Sequence, residues 1–329
     1  MSSHELPLFW PAWLIALVVL TPTVSGTYAG DNPLRPVFMD TVHGGCHFVL
    51  GNGTYSGTLE PGSAYDTTIF PDFPEGSGLA YHRVYVYWSW SKRGQAAIYP
   101  QLAVQVVQDG TSRDLLFRDR YLDNKGFASQ NDFYSGMDTY ELPPGTEPAR
   151  PFTLRVLNTG REGATFTIQG TGFLTISTVP GGSEKAVQVM EGADLLYSRY
   201  GITPEMATSR ADFPVAIDME RVRDANLLLV APSGGYSLSG VPEMNRLFFN
   251  RGDEGAVPFV LRPIVHVLFP SFSGKTWTDI FSATDLQQVG IDRRDVRSYL
   301  RAGGNRAEVQ DNGDYLQLTN AILEVTYGG

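Results

Sequence analysis

The sequence has few cysteines, no cluster of basic residues and, past its N-terminus, no long apolar run. It contains one cysteine in 329 residues, so no disulfide can form within the chain. It has 25 Lys and Arg residues and 35 Asp and Glu residues, and the basic residues do not cluster. This argues against nucleic-acid binding, because such binding requires concentrated positive charge. Beyond residue 26 no apolar run is long enough to cross a bilayer. With 42% hydrophobic residues, the chain must fold by burial alone.

The N-terminal segment indicates export. Residues 6–20 are almost wholly apolar, and Val24 and Gly26 occupy the −3 and −1 positions of a cleavage site. This pattern is typical of a secretory signal peptide, but residues 1–5 lack Lys and Arg, so an uncleaved anchor helix is the alternative. We expect residues 1–26 to be a signal peptide or anchor and the protein to be extracellular, touching a membrane only through this segment if it is retained.

Alternation of residue types predicts β-strands along most of the chain. In RVYVYWSW (83–90), Val84 and Val86 fall on one face while Tyr85 and Tyr87 fall on the other. The same period of two recurs at residues 102–107, 153–157, 165–169, 173–178, 315–318 and 322–327. Turn sequences such as Asn-Gly and Asp-Gly separate these segments, which indicates an antiparallel all-β protein.

The order of the predicted strands repeats weakly between the two halves of the chain. RVYVYWSW, RVLNTG, TFTIQ and FLTIST in the first half parallel NLLLVAPS, AEVQDNG, YLQL and ILEVTY in the second. We therefore predict two tandem antiparallel β-sandwiches of jelly-roll type, at residues 27–180 and 181–329. One or two short helices are expected, beginning near Thr203 and Asp292, and the signal or anchor helix precedes the first sandwich.

Six segments carry a resemblance to a known family. They are YAGDNPL (28–34), VYVYWSW (84–90), EGADLLY (191–197), GITPEMATSRADF (201–213), NRLFFN (245–250) and DNGDYLQLTNAILEVTY (311–327). Together they resemble the domain of unknown function 3344 family (DUF3344), found mostly in exported or surface proteins of methanogenic archaea. The resemblance implies an extracellular, β-rich envelope protein, such as a surface-layer or sheath component.

A turn near the C-terminus could bind calcium. Asp311, Asn312 and Asp314 surround Gly313 and offer the hard oxygen ligands that calcium requires. Solvated turn acids that form Asx turns are the alternative interpretation.

A second candidate metal site lies in the sequence HGGCH. His43, Cys46 and His47 provide three zinc-ligand types within five residues, but no fourth ligand is evident nearby. The alternative is that Cys46 is a small buried apolar side chain.

Aromatic residues and one sequon suggest contact with glycans. Tyr85, Tyr87 and Trp277 could stack on sugar rings if they face outward, and packing between the two sandwiches is the alternative. Asn52 begins the N-glycosylation sequon Asn-Gly-Thr.

The sequence offers no catalytic constellation. No G-x-S-x-G elbow or complete phosphate-binding loop is present. We therefore expect a non-enzymatic structural or interaction protein of an archaeal cell envelope, a surface-layer, sheath or surface-associated component, with calcium as the one candidate cofactor. Its expected partners are envelope proteins or other copies of itself. A carbohydrate-binding surface module, whose partners would be glycans, is the alternative.

Overall fold

The computed structural model describes residues 28–74, 76–92, 99–123, 125, 133–199, 201–235, 245–252, 261–268, 270–278, 280–281, 283, 288–313 and 315–328. The signal peptide or anchor expected at residues 1–26 lies outside this part of the chain. Among the described residues, no helix has the length and apolar character needed to cross a membrane.

Strands dominate the described residues, so the all-β class is confirmed. The strands are β1 Arg35–Leu50, β2 Thr58–Leu59, β3 Ala64–Ile69, β4 Gly78–Lys92, β5 Leu102–Gln108, β6 Thr111–Asp114, β7 Leu116–Asp123, β8 Phe133–Glu141, β9 Phe152–Asn158, β10 Phe166–Thr178, β11 Glu184–Leu196, β12 Thr208–Phe213, β13 Val222–Pro232, β14 Arg246–Phe249, β15 Lys275–Thr278, β16 Val289–Asp295, β17 Asn305–Gln310 and β18 Leu316–Tyr327. The helices are α1 Arg262–Leu268 and α2 Pro270–Ser273, and a 3₁₀ turn covers Arg297–Tyr299.

The strands form one large antiparallel sheet and two small ones. The large sheet has the order β16-β13-β18-β11-β1-β10-β4-β8-β7, with β2 paired to β10. The small sheets have the orders β12-β17-β14-β15 and β3-β9-β5-β6. Residues 35–43 of β1 pair with β11, whereas residues 44–50 pair with β10. Strand β1 therefore joins two halves of the large sheet.

The two halves of the chain use their strands in the same order. The first half contributes β1-β10-β4-β8 to the large sheet and forms the small sheet β3-β9-β5-β6, and the second contributes β11-β18-β13-β16 and forms β12-β17-β14-β15. Eight strands in two four-stranded sheets are the pattern of a jelly roll. The weak sequence repeat lies on corresponding strands, because it relates β4 to β13, β9 to β17 and β10 to β18. A division into separate domains at residue 180 stays a prediction, since residues 35–43 pair with a strand of the second half.

Three apolar clusters separate the sheets into layers. One cluster, containing Val84, Val86 and Trp88, lies between the first half of the large sheet and its small sheet. A matching cluster lies between the second half and the other small sheet. The third contains Tyr85 and Tyr87 of β4 together with residues of β11, β13 and β18. The two halves of the large sheet thus pack face to face, and we call the contact between them the central interface.

Glycines inside β10 permit close packing rather than a turn. The sequence predicts two strands here, at 165–169 and 173–178, but β10 runs through both, with a bulge between Ile168 and Gly170. A Cβ atom on Gly170 would lie 2.8 Å from the Val289 side chain across the central interface. Glycine is needed at this position because the facing sheet approaches so closely. The predicted pair 315–318 and 322–327 likewise forms the single strand β18.

The two segments expected to form short helices each contain a single turn instead. After Thr203 the chain makes a single turn, in which Ala207 N donates to Thr203 O at 2.9 Å, before β12 begins. The segment beginning near Asp292 belongs to β16 as far as Asp295, where its backbone pairs with β13, and the 3₁₀ turn at Arg297–Tyr299 follows. Sheet pairing satisfies the same backbone groups that a helix would use, and it prevails here over local helix propensity.

Candidate functional site

Strand β11 carries two acidic side chains that are completely buried, Glu191 and Asp194. A bulge in the pairing of β11 with β18 lies between them. Bulges re-aim side chains along a strand, and the two carboxylates indeed have different partners. Buried carboxylates need hydrogen bonds or counter-charges, so their surroundings are the first place to look for a functional site.

The Glu191 centre consists of this carboxylate and the side chains that bind it across the central interface. Tyr85 OH donates to Oε1 at 2.9 Å, Tyr121 OH to Oε2 at 3.0 Å, and Tyr81 OH approaches Oε1 at 3.5 Å. Arg83 Nε lies 3.6 Å from Oε1. Burial raises the pKa of Glu191, and Arg83 together with the phenol hydrogen bonds partly opposes this shift. Neutral donors therefore supply most of the direct contacts.

The Asp194 centre is a cage of oxygen atoms around the Lys125 ammonium. Lys125 Nζ lies 2.6 Å from Ala29 O, 2.8 Å from Asp123 Oδ2 and 2.8 Å from Asp194 Oδ1, and it also donates to Asp31. The Lys125 side chain is 2% exposed, whereas that of Asp31 is 61% exposed. Three separate parts of the fold meet here: the segment before β1, the end of β7, and β11.

The Asp194 centre has more negative than positive charge. Three carboxylates face one ammonium, a formal sum of −3 + 1 = −2. Burial raises the pKa of Asp123 to about 7 against the opposing effect of Lys125, and it raises the pKa of Asp194 as well. One oxygen from each carboxylate lies within 4.8 Å of the others, which makes these residues the group in the described part of the chain that could hold a metal.

Tyr85 and Tyr87 do not face outward but pack between the two halves of the large sheet, which corresponds to the alternative interpretation of the sequence. Tyr85 and Tyr87 are 0% exposed, because the second half of the large sheet covers the face on which they lie. Tyr87 OH donates to Asn320 Oδ1 at 2.9 Å across the central interface. Trp277 is half-buried on β15, which belongs to a small sheet and not to the sheet that contains β4. Its ring packs edge to face against Tyr299, with 5.8 Å between the ring centroids. The three aromatic residues therefore do not form one surface.

In the turn predicted to bind calcium, the Asp311 side chain accepts backbone hydrogen bonds. Asp311 is fully buried and accepts hydrogen bonds from Gly313 N at 3.2 Å and from Ser198 N. In the first half, Asn158 lies at the end of β9, where its Oδ1 accepts a hydrogen bond from Gly160 N at 2.9 Å. The Asx-turn interpretation accounts for both. Calcium binding at Asp311 and Asn312 stays a prediction, and Asp314 lies outside the described residues.

The structure does not bring the three HGGCH candidates together. All three lie on β1, where His43 and His47 are four residues apart, about 13 Å at the usual strand rise, and Cys46 points to the opposite face from His47. His43 Nδ1 lies 3.4 Å from Gly182 O, and His47 Nδ1 lies 3.4 Å from Asp72. Burial raises the pKa of the Cys46 thiol, as expected for an unreactive side chain.

The sequon residue Asn52 is exposed in the bend after β1. Its Oδ1 accepts a hydrogen bond from Thr68 N at 2.8 Å. Glycosylation at Asn52 stays a prediction.

Sequence reasoning missed both carboxylate centres. The available signal was two acids within the otherwise apolar strand run of β11, since buried strands rarely carry ionisable side chains without partners. The partners could not be read from the sequence because they come from distant segments: Tyr85 and Tyr121 for Glu191, and Asp31 and Lys125 for Asp194.

Comparisons with known proteins identify a family but no characterised relative. A family model described as "Protein of unknown function (DUF3344)" matches residues 27–326. None of the curated proteins matches.

Several solved structures align with low similarity. The structure titled "Crystal Structure of the STIV MCP" has a TM-score of 0.24 and 10% identity, covering 86% of this chain and 96% of that one. PBCV-1 VP54, fitted into a reconstruction of the virophage Sputnik, has a TM-score of 0.22 and 8% identity, covering 89% and 94%. Latent PorU from Porphyromonas gingivalis has a TM-score of 0.24 and 11% identity, covering 84% and 24%. Because the family match spans nearly the whole described chain, the protein belongs to the DUF3344 family of proteins of unknown function.

Proposed function

We propose that this protein is a non-enzymatic structural component of an archaeal cell envelope, in a surface layer, a sheath or a surface-associated assembly. The observation that carries the proposal is the central interface. Two jelly-roll sets of strands are held face to face by a shared strand, an apolar cluster and buried polar contacts. Such an interface makes a rigid block, which suits a load-bearing or scaffolding unit that has no internal disulfide.

The state of the buried ionisable groups supports the same proposal. A catalytic acid or base must reach a substrate, whereas Glu191 and Asp194 are closed off by protein side chains and are 0% exposed. Their hydrogen bonds connect the two halves of the large sheet. We infer that these groups stabilise the fold rather than act on a substrate.

The proposal places the protein outside the cell, with envelope proteins or further copies of itself as partners. The test is fractionation of cells that produce the full-length protein, with immunogold labelling of thin sections. We expect label along the envelope and enrichment in the envelope fraction. Label confined to the cytoplasm, or a protein that stays monomeric and never associates with envelope material, would overturn the proposal.

A carbohydrate-binding surface module is the second candidate, supported by a cleft in the first half of the chain. The cleft has a volume of about 600 Å³ and is lined by Phe117, Tyr140, Arg120 and Asp138 among others. Phe117 is 54% exposed, and an exposed ring beside a bidentate Arg–Asp pair suits the apolar face and polar edge of a sugar. A glycan array should then give signals that Phe117→Ala removes, with Phe70→Ala, another exposed phenylalanine, as the matched control. Equal signals from both variants would count against this cleft.

A further inference from the structure

The oxygen cage around Lys125 contains more acceptors than an ammonium group can serve. Four oxygens, from Ala29, Asp31, Asp123 and Asp194, contact Nζ at hydrogen-bonding distance. A lysine ammonium has three N–H groups. At least one of the four oxygens therefore faces the nitrogen without a proton of its own, a mismatch that a metal cation does not have because it needs no directed N–H bonds.

A second observation concerns the far side of Asp194. Asp194 Oδ2 is buried, and the one donor beside it among the described residues is the Ser209 hydroxyl, which does not reach ordinary hydrogen-bond geometry with it. Asp194 is 0% exposed and Ser209 is 1% exposed, so bulk water does not solvate these oxygens. A buried carboxylate oxygen with so weak a donor is incompletely satisfied, and it belongs to a carboxylate of the same cage. Asp194 Oδ2 and Ser209 Oγ enlarge the set of oxygens available to a cation beyond the four that contact Lys125.

The kind of ligand follows from the donor set. All of the donors are oxygens: three carboxylates, one backbone carbonyl and one hydroxyl. Calcium takes six to eight oxygen ligands at flexible geometry, and carboxylates can bind it through both oxygens. Zinc sites in proteins usually include Cys or His ligands, which this group does not contain. Magnesium demands strict octahedral geometry and releases its water reluctantly, which fits a buried, irregular cage poorly.

We propose that the Asp194 centre is an exchangeable calcium site, in which Ca²⁺ displaces the Lys125 ammonium and is held by Asp31, Asp123, Asp194 and the Ala29 carbonyl. The exchange changes the formal charge of the cage from −2 to −3 + 2 = −1. Lys125 lies two residues beyond the end of β7, so it contributes no strand pair that its displacement would break. The bound ion would tie the segment before β1 to both halves of the large sheet.

The proposal does not depend on where the protein works. It also differs from the calcium turn at residues 311–314 expected from the sequence, which uses another set of acids. A test must therefore separate the two places and separate calcium binding from the resident ammonium.

The experiment is isothermal titration of Ca²⁺ into the full-length protein after treatment with chelator, with Mg²⁺ titrated in parallel. We expect one Ca²⁺ per chain with a dissociation constant of roughly 0.1–1 mM, the range of extracellular calcium modules, and weaker Mg²⁺ binding. The exposed ligand allows a mild variant: Asp31→Asn should weaken Ca²⁺ binding at least tenfold. Asp40→Asn is the matched control, since Asp40 is an exposed acid on β1 outside the cage, and it should bind as the unchanged protein does.

Lys125→Met provides a readout that a merely structural role would not produce. Removing the competing ammonium should tighten Ca²⁺ binding at least tenfold, and Ca²⁺ should raise the melting temperature of this variant more than that of the unchanged protein. The proposal is overturned if neither protein binds Ca²⁺, if Asp31→Asn binds as tightly as the unchanged protein, or if binding is lost in Asp314→Asn while Asp31→Asn retains it. The last result would assign the ion to the turn at residues 311–314.

Discussion

Two buried carboxylates on one strand are stabilised in different ways. Glu191 is held mainly by tyrosine hydroxyls, and Asp194 is held by a lysine ammonium shared with two further acids. Neutral donors stabilise a charge without adding a counter-charge, so the Glu191 centre is complete within the protein. The Asp194 centre depends on a cation, and its formal charge stays negative with Lys125 in place. The interface thus combines a carboxylate held mainly by neutral donors with one that depends on a cationic side chain.

The largest expected effect comes from removing the cation of the Asp194 centre. Lys125→Met leaves Asp123 and Asp194 buried without their counter-charge, which should lower the free energy of unfolding by about 3–5 kcal/mol in chelator. Urea denaturation monitored by tryptophan fluorescence measures it. Lys185→Met is the control, because the Lys185–Glu324 pair is partly exposed and should cost about 1 kcal/mol or less. If Lys125→Met and Lys185→Met lowered the free energy of unfolding equally, the Lys125 ammonium would be no more important for stability than a partly exposed lysine.

A somewhat smaller loss is expected at the Glu191 centre. Glu191→Leu leaves the hydroxyls of Tyr85 and Tyr121 buried without an acceptor and Arg83 with one carboxylate fewer, at a cost of about 2–4 kcal/mol. The same denaturation series checks it, with the exposed Glu162→Leu expected to stay within about 0.5 kcal/mol. If added Ca²⁺ rescued Glu191→Leu as it rescues Lys125→Met, the distinction between the two centres would fail.

The pH dependence of stability should isolate Glu191. The groups that face it are Arg83, Tyr81, Tyr85, Tyr121 and Asp119. Because burial raises the folded-state pKa of Glu191 above its unfolded value of about 4.3, its contribution is greatest at low pH and declines as the pH rises from the unfolded pKa to the folded one, by up to about 1.4 kcal/mol per pH unit. The difference in unfolding free energy between the unchanged protein and Glu191→Gln, measured from pH 4 to 8, should follow this decline. A difference that grows with pH would contradict the assignment.

The smallest expected losses of stability come from removing single tyrosine hydroxyls at the Glu191 centre. Tyr85→Phe removes a donor that is fully buried and should cost about 1 kcal/mol, whereas Tyr121→Phe, at a half-buried position, should cost about half as much because water replaces part of its hydrogen bond. Each variant combined with Glu191→Gln in a double-mutant cycle measures the coupling to the carboxylate. Full additivity of both pairs would mean that the hydroxyls stabilise something other than Glu191.

The strand pattern could be predicted from the sequence, but its faces could not. Alternation in β4 correctly separates Val84, Val86 and Trp88 from Tyr85 and Tyr87, and these two sets lie in different clusters. The sequence leaves two interpretations of the tyrosine face open, exposure for contact with glycans and packing between the two sandwiches. The tyrosine face is buried because the other half of the large sheet covers it, and nothing within β4 specifies that partner.

The Asp-Gly turn shows the opposite case, where local chemistry is sufficient. Asp109 and Gly110 join β5 to β6 with φ values of 52° and 75°, as a tight hairpin with both central residues in the left-handed region requires. Only two residues and their intrinsic backbone preferences are involved, so the prediction from sequence holds.

The sequence by itself determined the all-β class, the strand periodicity, the hairpin turn at Asp109 and Gly110 and the need to fold without an internal disulfide, because each of these depends on neighbouring residues or on composition. Only the tertiary structure decided that both faces of the large sheet are buried and that Asp31, Asp123 and Asp194 share one cation. Those outcomes depend on contacts between segments far apart in the chain, and no local preference encodes which segments will meet.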